Sequence, residues 1–253
     1  MRNKFFLKGM ALFVGTALVV GGCNKEDEVP SFEEMTFQAD EVLNQLPVGL
    51  TASNDEYAEM CVDFIESAVD MSAFSENLTP PDNARKSDKK GSGDTWTWTW
   101  SYLGESFTFY WTYDEDSSKK YWSMDIQFGA GPVYDYIDAW EAKDGSQGHV
   151  EYNFNWVLIY EEDPGDYEDL FWTYDWSLDS NGTYTFEMTY DSSAIDYDYY
   201  LQYSVVVNDD GSGTVDYYLM GDLFYHMEWD ALGNGSYAYY YGDFETTGTW
   251  SAG

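Results

Sequence analysis

From Thr95 onward the chain alternates with a period of two. Trp96, Trp98, Trp100 and Tyr102 are interleaved with Thr95, Thr97, Thr99 and Ser101. In an extended strand that spacing sends every ring to one face and every hydroxyl to the other. On a helix the same rings would scatter around the cylinder, so the segment is read as a strand. Aromatic side chains and Thr both suit a pleated, half-buried surface. The alternation recurs in Phe107–Trp111, Trp172–Trp176, Tyr184–Met188, Tyr197–Val207 and Tyr237–Tyr239. Turn signals separate these runs: Asp144-Gly145, Asn181-Gly182, Asp210-Gly211 and Gly233-Asn234-Gly235. About a dozen strands joined by short loops predict an antiparallel meander. A degenerate repeat runs through it. Trp140, Trp176 and Trp229 each precede a polar turn holding glycine, and Val206 takes the matching place before Asp210-Gly211.

Ahead of the sheet the period changes. Ser31 and Glu34 form a capping-box pair before Phe32, Met35, Ala39, Val42, Leu43 and Leu46, and Pro47 and Gly49 are expected to stop that helix. Ser53 and Glu56 form a second such pair before Tyr57, Met60, Cys61, Phe64, Ile65 and Ala68. Each helix carries one apolar stripe and needs a surface to pack on; the sheet provides it. The fold class is therefore α+β: a helical pair over 32–78, a linker over 79–94, and an antiparallel sheet over 95–253. The sheet either stays open and curls round the helices or closes into a barrel.

The N-terminus reads as an export signal. Arg2, Lys4 and Lys8 precede an apolar run from Gly9 to Val20, shorter than the roughly 20 residues that span a bilayer. It ends in Gly21-Gly22-Cys23. That ending resembles the lipobox of bacterial lipoproteins. The resemblance implies that residues 1–22 are removed and that Cys23 carries acyl chains, with the membrane as a partner. The acidic tether over 23–31 contains Asn24-Lys25-Glu26-Asp27-Glu28. It looks like the tag of Bacteroidota lipoproteins displayed outside the outer membrane, and it implies a cell-surface location. The resemblance does not reach the folded domain.

Removing 1–22 takes Arg2, Lys4 and Lys8 from the 11 basic residues and nothing from the 47 acidic ones, so the remaining chain carries a formal charge of −39. Such a charge repels nucleic acid and anionic headgroups. Arg85 is the one arginine left, so a phosphate or carboxylate ligand lacks its usual bidentate clamp. Neutral, cationic or metallic partners remain. High charge alone would suggest disorder, but aromatics make up 20% of the chain and supply a core. With Cys23 acylated, Cys61 has no partner for an intrachain disulfide and is read as core.

Two features are candidates for binding. Flat rings on a rigid strand can stack on sugar faces, which singles out Trp96, Trp98, Trp100, Tyr237 and Tyr239; the same rows also read as a core face. The loop at 161–169 holds six carboxylates in nine residues, among them Glu161, Glu162, Asp163, Asp166 and Asp169. Calcium takes such oxygen ligands, and solvation explains the run equally well. No other cofactor is indicated. The two histidines, His149 and His226, lie in no zinc motif, and there is no nucleophile elbow or phosphate-cradling loop. The expectation is a non-enzymatic surface lipoprotein that binds a glycan or protein partner through its aromatic-rich sheet. The alternatives are a structural envelope protein whose rings are all core, and a carboxylate-based glycosidase.

Overall fold

A computed structural model describes residues 39–72, 80–81, 84–86, 94–102, 104–154, 170–192 and 200–252. Among these residues three helices come first: α1 (Ala39–Gln45), α2 (Val48–Thr51) and α3 (Glu56–Ser72). Thirteen strands follow: β1 (Arg85–Lys86), β2 (Asp94–Tyr102), β3 (Glu105–Glu115), β4 (Lys119–Phe128), β5 (Val133–Ala142), β6 (Gln147–Asn153), β7 (Leu170–Leu178), β8 (Tyr184–Ser192), β9 (Tyr200–Val207), β10 (Gly213–Leu219), β11 (Asp222–Trp229), β12 (Gly235–Tyr241) and β13 (Phe244–Trp250). They form one antiparallel sheet in which spatial order equals chain order, with β1 and β13 at its two ends. The meander is open and does not close into a barrel. The expected linker contributes to it, because Arg85 and Lys86 pair with Thr97 and Trp96 as an edge strand.

Register lays the rings in rows. Trp96 pairs with Trp111, Trp98 with Phe109 and Trp100 with Phe107. Next, Phe107 pairs with Phe128, Phe109 with Ile126 and Trp111 with Met124. Trp96, Phe107, Phe109, Trp111, Met124 and Ile126 belong to one core that also contains Ile137, Val150, Tyr174, Phe186, Val205, Val215 and Met227, with Trp98 and Phe128 packed against it. The opposite face carries the interleaved polar residues, such as Thr95 hydrogen-bonded to Thr112 at 3.3 Å.

The repeat has a steric basis. Trp176, Trp229 and Trp250 lie opposite Gly148, Gly213 and Gly235 in register, and each indole ring occupies the space a Cβ on its glycine would fill. Trp229 donates its indole N–H to Gly211 O at 2.7 Å, and Trp250 donates to Gly233 O at 2.8 Å. Each ring thus buries its face on a glycine of the neighbouring strand, and Trp229 and Trp250 also tie their nitrogens to a turn. Trp140 does not belong to this set. It sits on the opposite face beneath the Lys119 ammonium, 3.1 Å from the ring centre. One residue of phase puts Glu141 on the core face opposite Gly148 instead, because a one-residue slip changes sides. For the same reason Val207, not Val206, takes the position opposite Gly213.

The helices differ from expectation in their ends. Pro47, extended at φ −61° and ψ 137°, ends one helix and starts the next, so Gly49 lies inside α2 rather than after a stop. Gly49 is required by contact: a Cβ there would come 2.2 Å from Leu232 O, and one on Gly233 would come 2.2 Å from Leu50 N. Asp55 caps α3 by accepting the Tyr57 N–H at 3.0 Å, and Ser53 Oγ accepts the N–H of Asp55. The cap is thus two residues later than the Ser53–Glu56 pair predicts, since a cap must reach the second or third helical amide. The Ser31–Glu34 pair lies outside the described residues.

Helix α3 packs on the sheet through rings. Tyr57 stacks on Tyr237 with centroids 3.5 Å apart. Phe64 lies among Tyr203, Tyr217 and Tyr225 at 5.5, 5.7 and 6.3 Å, and the Tyr203 hydroxyl donates to the Phe64 carbonyl. Cys61 is buried on the same stripe, and burial pushes its thiol up to about 12.

Candidate functional site

The sheet ends in neighbouring hairpin tips at β10–β11 and β12–β13. At the first, Leu219 pairs with Asp222 across Met220-Gly221, with φ of +58° and +85° at the two central residues. A methionine in the left-handed region is uncommon. There the turn holds an apolar side chain in water, with Met220 53% exposed. At the second tip Tyr241 pairs with Phe244 across Gly242-Asp243, and Tyr241 is 67% and Phe244 61% exposed.

Between the tips lies a cleft of about 470 Å³ lined by Leu219, Met220, Asp222, Phe224, Tyr240 and Tyr241 among others. A β-bulge builds its floor. Tyr217 pairs with Tyr225 and Tyr218 with Leu223, leaving Phe224 as the extra residue; such an insertion re-aims side chains. Phe224 meets Tyr239 edge-on at 4.9 Å and Tyr241 edge-on at 6.3 Å. The cleft therefore presents rings at steep angles to one another, tyrosine hydroxyls and one carboxylate. That combination suits a ligand with flat apolar faces and polar edges.

The predicted rings divide. Trp96 is 3% exposed and belongs to the core. Trp98 is half-buried and stacked on Phe109 at 5.2 Å. Trp100 is 38% exposed at the far end of β2, tilted on Phe107. Tyr237 is covered by Tyr57 of α3. Tyr239 packs against Phe224 and Tyr225 beside the cleft. Cys23 and the acidic residues Glu161, Glu162, Asp163, Asp166 and Asp169 lie outside the described residues. Among the described residues no three His, Cys, Asp or Glu side chains gather as a metal site.

The polar face of the sheet holds groups that sequence reading passed over. His149 lies opposite Asp175 with Nδ1 and Oδ1 2.7 Å apart, and His226 lies opposite Asp216 at 2.6 Å. The hydrogen bond to Asp175 raises the pKa of His149 above the usual histidine value. Each carboxylate fixes the proton on Nδ1. Register joins the two pairs in one row, His149–Asp175–Glu187–Ser204–Asp216–His226. Two strands before the row, Asp125 lies opposite Asp135 beside a second bulge. Burial, then the charges of Asp135 and Asp138, raise Asp125 to about 6, and Asp135 shares a hydrogen bond with it. Burial also raises Asp138. These pairs could not be seen in the sequence, because each joins residues on different strands.

No protein-family model matches the chain, and neither a curated protein nor a solved structure is similar to it.

Proposed function

We propose that this chain is a surface-displayed, lipid-anchored binding protein that takes a glycan in the aromatic cleft between the β10–β11 and β12–β13 tips. The observation that carries the reading is Tyr241: a ring 67% exposed on a two-residue turn, edge-on to Phe224 over a cleft of about 470 Å³. Among the described residues, rings such as Trp111, Trp122 and Phe186 are by contrast fully buried in the core. Exposing Met220, Tyr241 and Phe244 together forgoes burial, which favours a surface that is covered when a ligand binds. Binding rather than hydrolysis is supported by the lining: among the described residues Asp222 is its one carboxylate, whereas glycoside hydrolysis uses a pair. Anchoring through Cys23 would hold the cleft at the cell surface.

The test is binding of the full chain, purified in detergent, to an array of immobilised polysaccharides. Tyr241→Ala is expected to weaken binding about tenfold, the scale of one lost ring contact, with an unchanged melting curve because the ring is exposed. Unchanged binding refutes the site. The anchor is tested separately: Cys23→Ser is expected to move the protein from the membrane fraction to the soluble one, and retention in the membrane refutes it.

A further inference from the structure

Resting on the reading of this cleft as a glycan site, we propose that its ligand carries free ammonium groups: an amino sugar held between aromatic faces and the carboxylate of Asp222. Three observations lead there. The rings around the cleft stand edge to face, with interplanar angles of 86° for Phe224 and Tyr239 and 77° for Phe224 and Tyr241. Walls set that way can offer a ring face to a cation, and ring faces attract ammonium groups. Asp222 is the charged member of the lining, which contains no Lys, Arg or His. Asp243, exposed on the adjoining turn, adds a second negative group nearby. The long-range field has the same sign, because the whole chain carries a net charge of −36. Such a field draws cations to a cleft and repels uronic acids and sulfated sugars. An acetylated amine keeps the sugar ring but loses the charge, so the inference separates two otherwise equivalent glycans.

The experiment is calorimetric titration of the full chain with the glucosamine tetramer and the N-acetylglucosamine tetramer, at mildly acidic pH and near-physiological salt. The free-amine tetramer is expected to bind about tenfold more tightly, on the scale of a desolvated cation–ring contact. Asp222→Asn is expected to erase most of that preference. Asp209→Asn, an exposed acid at the turn on the other end of β10, is expected to leave it intact. Choline should displace the free-amine tetramer, while 3,3-dimethylbutanol, of the same shape without charge, should not. Equal affinities, preference for the acetylated tetramer, or an equal effect of Asp209→Asn would overturn the inference. So would failure of both tetramers in a protein that still binds polysaccharide through Tyr241. If Tyr241→Ala weakens neither tetramer, the glycan cleft itself is refuted.

Discussion

The packing of tryptophan on glycine predicts a large effect from adding a single methyl group. In Gly213→Ala the new Cβ would lie 2.1 Å from Val206 O, 2.5 Å from Trp229 Cζ2 and 2.7 Å from Cη2. All three are inside the 3.0 Å limit below which something must shift. Val206 O is backbone in the neighbouring strand and cannot rotate away. Trp229 is buried and its N–H is tied to Gly211 O at 2.7 Å, so displacing the ring also breaks a buried hydrogen bond. Overpacking costs about 1–3 kcal/mol, and leaving the indole N–H unsatisfied costs about 1–3 kcal/mol more. Their sum is roughly 2–5 kcal/mol, discounted because the two share one displacement. The assay is urea denaturation followed by circular dichroism, where the midpoint should fall at constant slope. A cycle with Trp229→Leu locates the cause. Removing the ring should relieve about 1–2 kcal/mol of the alanine penalty, a coupling typical of touching residues, and the Val206 contact should account for the rest. A loss below about 0.5 kcal/mol, the range of neutral surface changes, would refute the steric account. So would strict additivity in the cycle.

Three further outcomes follow from burial and charge. Burial, then the charges of Asp135 and Asp138, push the folded Asp125 carboxyl up to about 6, above the usual carboxylate range. Its contribution is therefore fully present below the unfolded pKa and is lost as pH rises through about 6. Asp125→Asn should accordingly raise the melting temperature at neutral pH and change it little at pH near 4; a variant that is less stable at neutral pH contradicts this. Cys61, buried with its thiol raised to about 12, should resist a disulfide reagent in the native protein and react only in denaturant; fast native labelling refutes its burial. Trp96→Ala should cost about 3–5 kcal/mol as a core truncation, and Trp100→Ala markedly less because its ring is 38% exposed. Equal losses in denaturant melts would contradict the division of that row into core and surface.

The sequence by itself determined the antiparallel meander and four of its turns. Those features are local: period-two alternation fixes which side chains share a face, and Asp-Gly or Asn-Gly pairs fix where the chain reverses. It also located the helical stripe of Tyr57, Cys61, Phe64 and Ile65, though it misplaced the cap, since Ser53 Oγ accepts the N–H of Asp55 and leaves the Tyr57 amide to Asp55. Tertiary structure decided what periodicity leaves open. Whether a ring is core or exposed depends on what lies over it: Tyr237 is covered by Tyr57, while Tyr241, four residues on, stands in water. A bulge at Phe224, invisible in the alternation, turns a strand end into a cleft floor. The His149–Asp175 pair and the Asp125–Asp135 pair exist only because register aligns distant residues, 26 positions apart in the first case. Even the Trp repeat needed the structure. Trp140 and Trp176 look alike in sequence, yet one residue of phase sends them to opposite faces of the sheet, because a strand reverses its side chain at every step.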